Sequence, residues 1–454
     1  MTHQDSDNPV ETRASGGDSV DLRRVFRLWL PLAGSWLLMA IEGPICNAFI
    51  ARLPDEKTQL AAFGAVGYPI AMFIEAPVIA LLAASTRMAV DRRAWLRLYK
   101  IAHFSGLFFA LVHGIVAFTP IYDWIAGDLI AVDEAVVEPG RRAMQWLLPW
   151  SWLIAWRRMQ QGVLIHTERS RPIVIGTLLR VVFNTMTLVI GVRLASQYGW
   201  PAAAVGAAGI TFGLLAEALF IEFAARRLAK PLLPAEAPDG NWSYGEFVRF
   251  YLPLAFVPFL PIAMHPTGAA VLSRLPGSLE AVAVWGSVTS FVFLFRSGGF
   301  AFNEVVVSLV KKPGGLQALQ AFAWRLAAFL VVVLTLVFVT PLGRLWFESI
   351  GGIQTELATV ALAGLPFALT QPIAGVYLNL FQGVLVRAGR TSAVTESVVI
   401  YSVSCPLLFA LVLWREKGPS IPAVFVAIAI AQGLQIAWVA WRSDFGRLAS
   451  KPAS

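Results

Sequence analysis

Charged residues are scarce in this chain of 454 residues, and histidine and cysteine are scarcer still. Lys, Arg, Asp and Glu make up 14% of the sequence and hydrophobic residues 57%, whereas about a quarter of an average soluble domain is charged. Water therefore cannot be the solvent for most of the molecular surface. The two cysteines, Cys46 and Cys405, lie inside apolar runs, which argues against disulfides and against a cysteine-based metal site.

Long apolar runs are what the sequence has in abundance. A bilayer-spanning helix needs about 20 mostly apolar residues, and such runs recur from Phe26 to near residue 440. They predict an all-α integral membrane protein with about twelve transmembrane helices. Residues 1–20 are polar and lack the short apolar core of a cleavable signal peptide, so we expect a tail before a first helix that stays in the membrane.

The basic residues are distributed asymmetrically. Clusters of Lys and Arg precede the first predicted helix and follow every even-numbered helix up to the tenth, at 23–27, 92–100, 169–171, 226–230, 311–312 and 387–390. All these segments fall on one side of the membrane, which the positive-inside rule makes cytoplasmic. The sequence thus predicts a multi-pass protein of the cell membrane, in a bacterium the inner membrane, with both termini cytoplasmic. The net charge of +8 then reflects topology and anionic lipids rather than nucleic acid.

The two halves of the sequence repeat one another. A constant shift of 222 positions superposes three prolines, one arginine and one glycine: Pro31 on Pro253, Pro44 on Pro266, Arg52-Leu53-Pro54 on Arg274-Leu275-Pro276, and Gly64 on Gly286. Each half contains an even number of predicted helices, so the halves keep the same orientation and form two parallel-related six-helix lobes. Transporters built from such repeats bind substrate between them and move one against the other.

Polar and apolar segments divide the chain into two tails, two lobes and a linker. We expect a disordered cytoplasmic tail over 1–22, an N-terminal lobe over 23–229, a cytoplasmic linker over 230–243, a C-terminal lobe over 244–445 and a second cytoplasmic tail over 446–454. The linker, KPLLPAEAPDGNWS, is polar and contains prolines that oppose a continuous helix.

Several short segments resemble a known superfamily. The segments WLPLAG in the first helix, LAAFG at the start of the second and QGVLVRAGRTSA after the tenth are similar to the multidrug/oligosaccharidyl-lipid/polysaccharide (MOP) exporter superfamily. Within it, RRAMQWLLPWSWLIAW and GVLIHTERSRPIVIG resemble the progressive ankylosis protein more than typical multidrug extrusion (MATE) proteins. The resemblance implies a MATE-like, V-shaped pair of six-helix lobes, export by alternating access and, for the ankylosis branch, organic or phosphorylated anions as cargo.

One position departs from the pattern of the extrusion proteins. Many of them carry an aspartate late in the first helix, and the nearest register here gives Cys46, with Glu42 one turn earlier. Their cation site therefore cannot be transferred directly to this chain.

Carboxylates within the predicted helices are candidates for ion coupling, because a charge in a bilayer is costly. Glu75 lies about 22 Å along helix two, with no basic residue within a turn, and apolar surroundings would disfavour its charged form. Glu42 lies beyond the midplane in helix one, where an interfacial or helix-capping role is the alternative. Glu304, on helix eight, resembles an acidic position of the ankylosis proteins. We expect Glu42, Glu75 or Glu304 to couple transport to a proton or a sodium ion.

Arg296 is the first candidate for binding an anionic cargo. Under the shift of 222 positions it lies at almost the depth of Glu75 on the paired helix, which suggests an ion pair across a central cleft. An ion pair with Glu304 within one lobe is the alternative.

Three more polar residues complete the predicted substrate-binding set. Arg180 and Asn184 are one turn apart on helix five, and Arg157 is on helix four. Guanidinium groups suit anionic cargo because their planar donors match carboxylates and phosphates. For Arg157 or the adjacent Arg158, snorkelling to the inner headgroups is the simpler interpretation. A lone histidine such as His265 is more often a hydrogen-bonded packing residue than a proton relay.

These features favour a secondary-active transporter that exports a small organic or phosphorylated anion, coupled to a proton or sodium ion. A lipid-linked saccharide flippase of the same superfamily is the alternative, and the buried charges do not exclude it. A channel and an intramembrane enzyme belong to other classes. The sequence has no His/Glu metal spacing, no Walker loop and no nucleophile elbow, so we expect no enzymatic activity, metal or cofactor. The expected partners are the solute, the coupling ion and membrane lipids, without nucleic acid.

Overall fold

A computed structural model describes residues 20–237, 240–415 and 420–444 of the chain, apart from the side chains of 257–259. Within these ranges the regular secondary structure is helical, without strands. Eleven helices of the described residues are long and apolar enough to cross a membrane, and two consecutive shorter helices make one further crossing. The predicted all-α membrane fold is thus confirmed. The predicted tails lie almost entirely outside the described residues.

We number the crossings α1 to α12. The N-terminal lobe contains α1 (Leu22–Ile50), α2 (Glu56–Met88), α3 (Arg92–Phe118), α4 (Glu134–Trp146 followed by Trp150–His166), α5 (Arg171–Tyr198) and α6 (Ala202–Leu232). The C-terminal lobe contains α7 (Tyr244–Leu272), α8 (Ser278–Leu309), α9 (Gly315–Val339), α10 (Thr355–Arg387), α11 (Thr391–Arg415) and α12 (Ser420–Arg442). We call the end of the bundle with residues 51–55 and 273–277 the distal face. The opposite end, with residues 89–91, is the terminal face.

Prolines interrupt several crossings. Pro44 has no amide hydrogen to donate to the carbonyl of Ala40, and the first segment of α1 ends at Ala40. Pro77 lies in a 3-10 segment of α2, and Pro149 lies where the two parts of α4 meet. In α10, the repeat partner of α4, a 3-10 segment over Leu365–Leu369 has a proline at its second position. Proline interruptions are a common origin of kinks in long helices.

The even-numbered crossings α2, α6, α8 and α10 are more buried than the odd-numbered crossings. At least half of the most apolar window of α2, α6, α8 and α10 is buried, against 20% to 28% for α1, α3, α5, α7, α9 and α11. The buried crossings form the centre of each lobe. Glu217 on α6 and Gln371 on α10 accordingly face protein, whereas Glu304 on α8 is exposed.

The repeat is visible in how the lobes touch. α1 packs on α8 of the other lobe, where Trp29 Nε1 donates a hydrogen bond to Gly298 O (2.8 Å). α7 packs on α2, where the Tyr251 hydroxyl donates to Pro77 O (2.7 Å). The first helix of each half thus contacts the second helix of the other half, as a twofold relation requires.

Two repeat-related glycines are in contact between the lobes. A Cβ atom added to Gly64 would lie 2.9 Å from Gly286 Cα, and one added to Gly286 would lie 2.6 Å from Gly64 Cα. Equivalent residues of two repeats meet only near the axis that relates them, so the contact marks the pseudo-twofold axis. Both copies of the repeated motif carry glycine here because a larger side chain would separate the backbones.

Two repeat-related arginines connect the lobes at the distal face. Arg52 Nη2, after α1, donates to Ser349 O (3.0 Å) and Ile350 O (2.8 Å), at the end of a π-helix between α9 and α10. Arg274, after α7, donates to three successive carbonyl oxygens (2.9–3.0 Å) at the end of the π-helix Trp124–Ile130, between α3 and α4. Cations are favoured at helix C-termini, where carbonyls lack partners. We call these contacts the distal clamps.

Further polar contacts close the distal face. Lys57 Nζ lies 3.3 Å from Glu280 Oε1, and the Glu56 carboxylate accepts a hydrogen bond from Gln354 N (3.0 Å). Each contact joins residues of opposite lobes. The distal face is therefore closed in this structure.

The predicted linker contacts the N-terminal lobe at the terminal face. Asp91 Oδ2 accepts a hydrogen bond from Ala237 N (2.9 Å), and Arg97 Nη1 donates to Trp242 O (2.6 Å). Residues 238–239 of the linker lie outside the described ranges. The described part of the linker is thus attached to the start of α3.

Candidate functional site

A central cavity of about 310 Å³ lies between the lobes, with the Gly64–Gly286 contact on its distal side. Both lobes contribute to its walls. Many of the lining residues are aromatic: Phe63, Tyr68, Trp285, Phe293, Tyr401 and Phe425. The glycine contact and the distal clamps lie between the cavity and the distal face.

Arg296, on α8, is the charged residue of the C-terminal wall of the cavity. Its Nε atom has no hydrogen-bond partner, and it forms no salt bridge with any residue that the structure describes. The ion pairs considered from the sequence, with Glu75 across the cleft or with Glu304 in the same lobe, are therefore not formed. Arg296 is an uncompensated cation in the cavity wall.

The N-terminal lobe contains a network of buried charges beside the cavity. Arg180 Nη2 lies 3.2 Å from Glu42 Oε2, and Arg180 Nη1 lies 3.5 Å from Glu217 Oε2. Arg157 Nη1 lies 2.7 Å from the same Glu217 oxygen, and Gln161 Nε2 donates to Glu217 Oε1 (3.2 Å). The four charged residues are at most 6% exposed, so Arg157 does not snorkel. We call Glu42, Arg157, Arg180 and Glu217 the N-lobe charge network.

Close packing of α5 on α6 assembles this network. A Cβ atom added to Gly213 would lie 2.7 Å from Arg180 O and 3.0 Å from Asn184 Cβ. Because Gly213 lets the helices approach, Glu217, one turn further along α6, comes within reach of Arg180. Asn184 Nδ2 donates to Glu42 Oε1 (3.3 Å). Asn184 thus orients a carboxylate of the network.

Of the N-lobe charge network, Glu42 is the member that lines the cavity. Arg180 compensates its charge from within the lobe. Arg157, Arg180 and Asn184, all predicted from the sequence to bind substrate, lie behind Glu42 rather than in the cavity lining. The two walls consequently differ: one presents a compensated carboxylate and the other an uncompensated guanidinium group.

The other two predicted coupling carboxylates lie outside the cavity. Glu75 is 4% exposed and lies near Trp150, Arg157 and Arg158 in the N-terminal lobe. Its Oε2 atom has no hydrogen-bond partner among the described residues. Glu304 is exposed, two turns beyond Arg296 toward the terminal face and near Trp36 of α1. The three carboxylates therefore occupy three different environments.

Several residues of the site were not predicted from the sequence. Glu217 could have been predicted, because it is a carboxylate in the apolar segment GLLAEALF and such a residue in a membrane helix is a functional candidate. Gln371 and Tyr401 line the cavity but gave no comparable signal, because neither is charged. His265 also lines the cavity, with its Nε2 3.1 Å from Thr289 Oγ1.

The described ranges contain no group of three or more His, Cys, Asp or Glu side chains that could hold a metal ion.

The sequence matches no protein-family model and no curated protein. Solved structures of similar fold nevertheless cover nearly the whole chain. An inward-facing multidrug resistance MATE family transporter of the MOP superfamily superposes with a TM-score of 0.69 at 15% identity, over 94% of this chain and 99% of the other. The lipid II flippase MurJ, in an inward closed conformation, superposes with a TM-score of 0.69 at 15% identity, over 92% of this chain and 90% of the other.

A third solved structure has a title that refers to its binding pocket. It is a MOP superfamily transporter from Pyrococcus furiosus, and its title states that the reverse polarity of its binding pocket suggests a different function. It superposes with a TM-score of 0.62 at 16% identity, over 95% of this chain and 98% of the other. At such identities the similarity defines the fold. The chain has the two-lobed MATE-like fold of the MOP superfamily, as its motifs implied. The progressive ankylosis branch is not confirmed.

Proposed function

We propose that the protein is a secondary-active membrane transporter that moves a small organic or phosphorylated anion by alternating access. The observation that carries this proposal is the central cavity, which both lobes enclose and in which Arg296 is uncompensated. A site between two repeats becomes accessible to either side when the repeats rock against each other. A partly buried guanidinium group without a counterion is costly, and an anionic cargo would supply that counterion.

The orientation follows from charge. The Lys- and Arg-rich segments lie at the terminal face, so we place that face, the linker and both termini in the cytoplasm. We retain 23–229 and 244–445 as the two lobes and, in a bacterium, the inner membrane as the location. The described state, closed at the distal face, is then an inward-facing or inward-closed state of the transport cycle.

We propose Glu42 as the primary coupling residue. Glu42 lines the cavity and belongs to the N-lobe charge network, so a proton or sodium ion bound to it would change the charge that faces both the cargo and Arg180. Glu75 and Glu304 are secondary candidates, because neither lines the cavity. The coupling proton or sodium ion is part of the proposal.

Proteoliposomes test this function directly. We expect wild-type protein to exchange a labelled organic anion across the membrane and to accumulate it when a proton or sodium gradient is imposed. Arg296→Ala should abolish both, whereas Glu42→Gln should retain exchange and lose gradient-driven accumulation. Glu75→Gln and Glu304→Gln are the matched comparisons. Full accumulation in Glu42→Gln would move coupling to another residue, and anion transport that does not depend on Arg296 would contradict the proposed cargo site.

A lipid-linked saccharide flippase is the second candidate, because MurJ superposes as well as the MATE transporter does. The volume of the cavity argues against it: about 310 Å³ is at the lower end of the range for small-molecule sites. A fluorescent lipid-linked saccharide in the same proteoliposomes separates the two functions. Flipping of this lipid without exchange of any soluble anion would favour the flippase.

A further inference from the structure

We propose that the C-terminal wall of the cavity binds the carboxylate of an aromatic monocarboxylate, through Arg296, Gln371 and Tyr401. We call these three residues the carboxylate site. The inference rests on the proposed transport function, and it narrows the cargo from anions in general to one chemical class.

Backbone contact between α8 and α10 brings two members of the site together. A Cβ atom added to Gly299 would lie 2.5 Å from Gly375 O, and one added to Gly375 would lie 3.6 Å from Arg296 Cα. The two helices run in the same direction, and Arg296 and Gln371 each precede one of these glycines by about one turn. Both side chains therefore leave neighbouring helices at the same level and reach the same wall of the cavity.

Gln371 offers a free donor. Gln432 Nε2, on α12, donates to Gln371 Oε1 (3.1 Å), so the carbonyl of Gln371 is occupied. The Gln371 amide nitrogen has no partner among the described residues, although the side chain is only 2% exposed. A buried polar group of this kind is costly without a hydrogen bond, and the carboxylate of a cargo would provide one.

Tyr401 completes the wall from α11. It is 9% exposed, lines the cavity and lies close enough to Arg296 for an electrostatic interaction. The guanidinium fork, the amide and the phenol together match a carboxylate, whose two oxygens accept up to four hydrogen bonds in one plane.

Charge balance favours a single negative charge. Across the cavity, Glu42 is compensated by Arg180, with 3.2 Å between Nη2 and Oε2. Arg296 therefore leaves one uncompensated positive charge on the cavity wall. A monocarboxylate neutralises that charge, whereas a phosphate dianion would leave an excess negative charge facing the Glu42 carboxylate.

The remainder of the cavity suits an aromatic body. Phe63, Tyr68, Trp285, Phe293 and Phe425 line it along with Tyr401. Aromatic pairs prefer stacked or edge-to-face arrangements, which stabilise them beyond simple burial of area. An aliphatic acid of equal size would lack these interactions.

Calorimetric binding to the purified full chain tests the inference with four probes: 2-naphthoate, 2-naphthyl phosphate, 2-naphthylmethylammonium and cyclohexanecarboxylate. We expect 2-naphthoate to bind most tightly. Arg296→Gln and Gln371→Met should each weaken it by about 10- to 100-fold, because each removes a hydrogen bond to a charged group. Tyr401→Phe should weaken it less. Ser397→Ala is the matched control, since it removes a hydroxyl one turn away on α11 that bonds to Val394 O (2.7 Å).

The outcomes distinguish a failure of the proposed cargo class from a failure of the proposed transport function. Binding of 2-naphthoate that depends on Arg296 and Gln371, in variants that retain the wild-type melting temperature, supports the carboxylate site. Tighter Arg296-dependent binding of the phosphate ester or the aliphatic acid overturns the aromatic monocarboxylate and leaves an anion transporter. Arg296→Lys provides a second variant if Arg296→Gln does not fold. Equal binding of 2-naphthoate in wild type and Arg296→Lys would count against a guanidinium fork.

Discussion

The Gly64–Gly286 contact permits a quantitative prediction about the lobes. An alanine at position 64 would place its Cβ 2.9 Å from Gly286 Cα, whereas carbon atoms prefer separations of about 3.5–4.0 Å. The two backbones must therefore separate by roughly 1 Å at the pseudo-twofold axis. Overpacking of this kind costs about 1–3 kcal/mol. The cost falls on the state in which the lobes touch distally and not on a state in which they are apart.

The predicted consequence is a population shift. A difference of about 1–3 kcal/mol changes the ratio of distally closed to distally open molecules by about 5- to 150-fold. Gly286→Ala should act in the same direction and at least as strongly, since its Cβ would lie only 2.6 Å from Gly64 Cα. The intrinsic preference of helices for alanine over glycine stabilises both states and cancels in the ratio.

Crosslinking at the distal face measures this ratio. Lys57 and Glu280 face each other from opposite lobes (3.3 Å) and are partly exposed, so cysteines at these positions should react with a short bis-maleimide when the face is closed. The native Cys46 and Cys405 are fully buried and can remain. We expect a lower crosslinking yield in Gly64→Ala.

Gly34→Ala is the control for this experiment, because a Cβ atom at Gly34 would meet no atom within 4 Å. Its crosslinking yield should equal that of the wild type. Equal yields in Gly64→Ala and Gly34→Ala, with both proteins folded, would refute the view that the glycine contact holds the distal face closed.

Three further predictions concern the clamps, the buried charges and the topology. Arg52→Ala and Arg274→Ala each remove one distal clamp and should increase distal labelling to a similar extent; an effect of only one of them would contradict their equivalence. Glu217→Gln removes the carboxylate that two buried arginines share and should destabilise the fold by about 3–5 kcal/mol, whereas Arg296→Gln removes an uncompensated charge and should leave the melting temperature unchanged or raise it. A tag beside Asp133 should be labelled from outside intact cells, and labelling only after permeabilisation would reverse the proposed orientation.

Much of the fold was predictable because the bilayer limits what a chain can do. Apolar length alone indicated about twelve crossings, and backbone groups in lipid must bond within a helix or a closed barrel. The exception was α4, which consists of two shorter helices that meet near Pro149, because the first of them, Glu134–Trp146, contains four charged residues and gives no long apolar run. The repeat was also predictable, since Gly64 and Gly286 lie 222 positions apart in the sequence. That the two glycines touch is a property of the assembled lobes.

The site was only partly predictable. Depth along a helix indicated that Glu42, Glu75 and Arg180 lie inside the membrane-spanning part, and all three are buried, because depth follows from residue number and helical rise. Depth favoured snorkelling for Arg157 or Arg158, whereas Arg157 is buried in the N-lobe charge network. Their partners did not follow, because pairing depends on the direction in which each side chain leaves its helix and on which helices approach closely. Glu75 and Arg296 lie at similar depth yet do not pair. Gly213 brings α5 against α6, and so decides that Arg180 pairs within its own lobe.

The sequence by itself determined the membrane environment, the number of crossings, the repeat and the identity of some of the buried charges. Only the tertiary structure decided which charges compensate each other and that Arg296 is left facing a cavity with Gln371 and Tyr401. The physical reason is the range of the forces involved. Burial of apolar length is a local property of each helix, whereas ion pairs and hydrogen bonds act over a few ångströms between helices whose packing the local sequence does not specify.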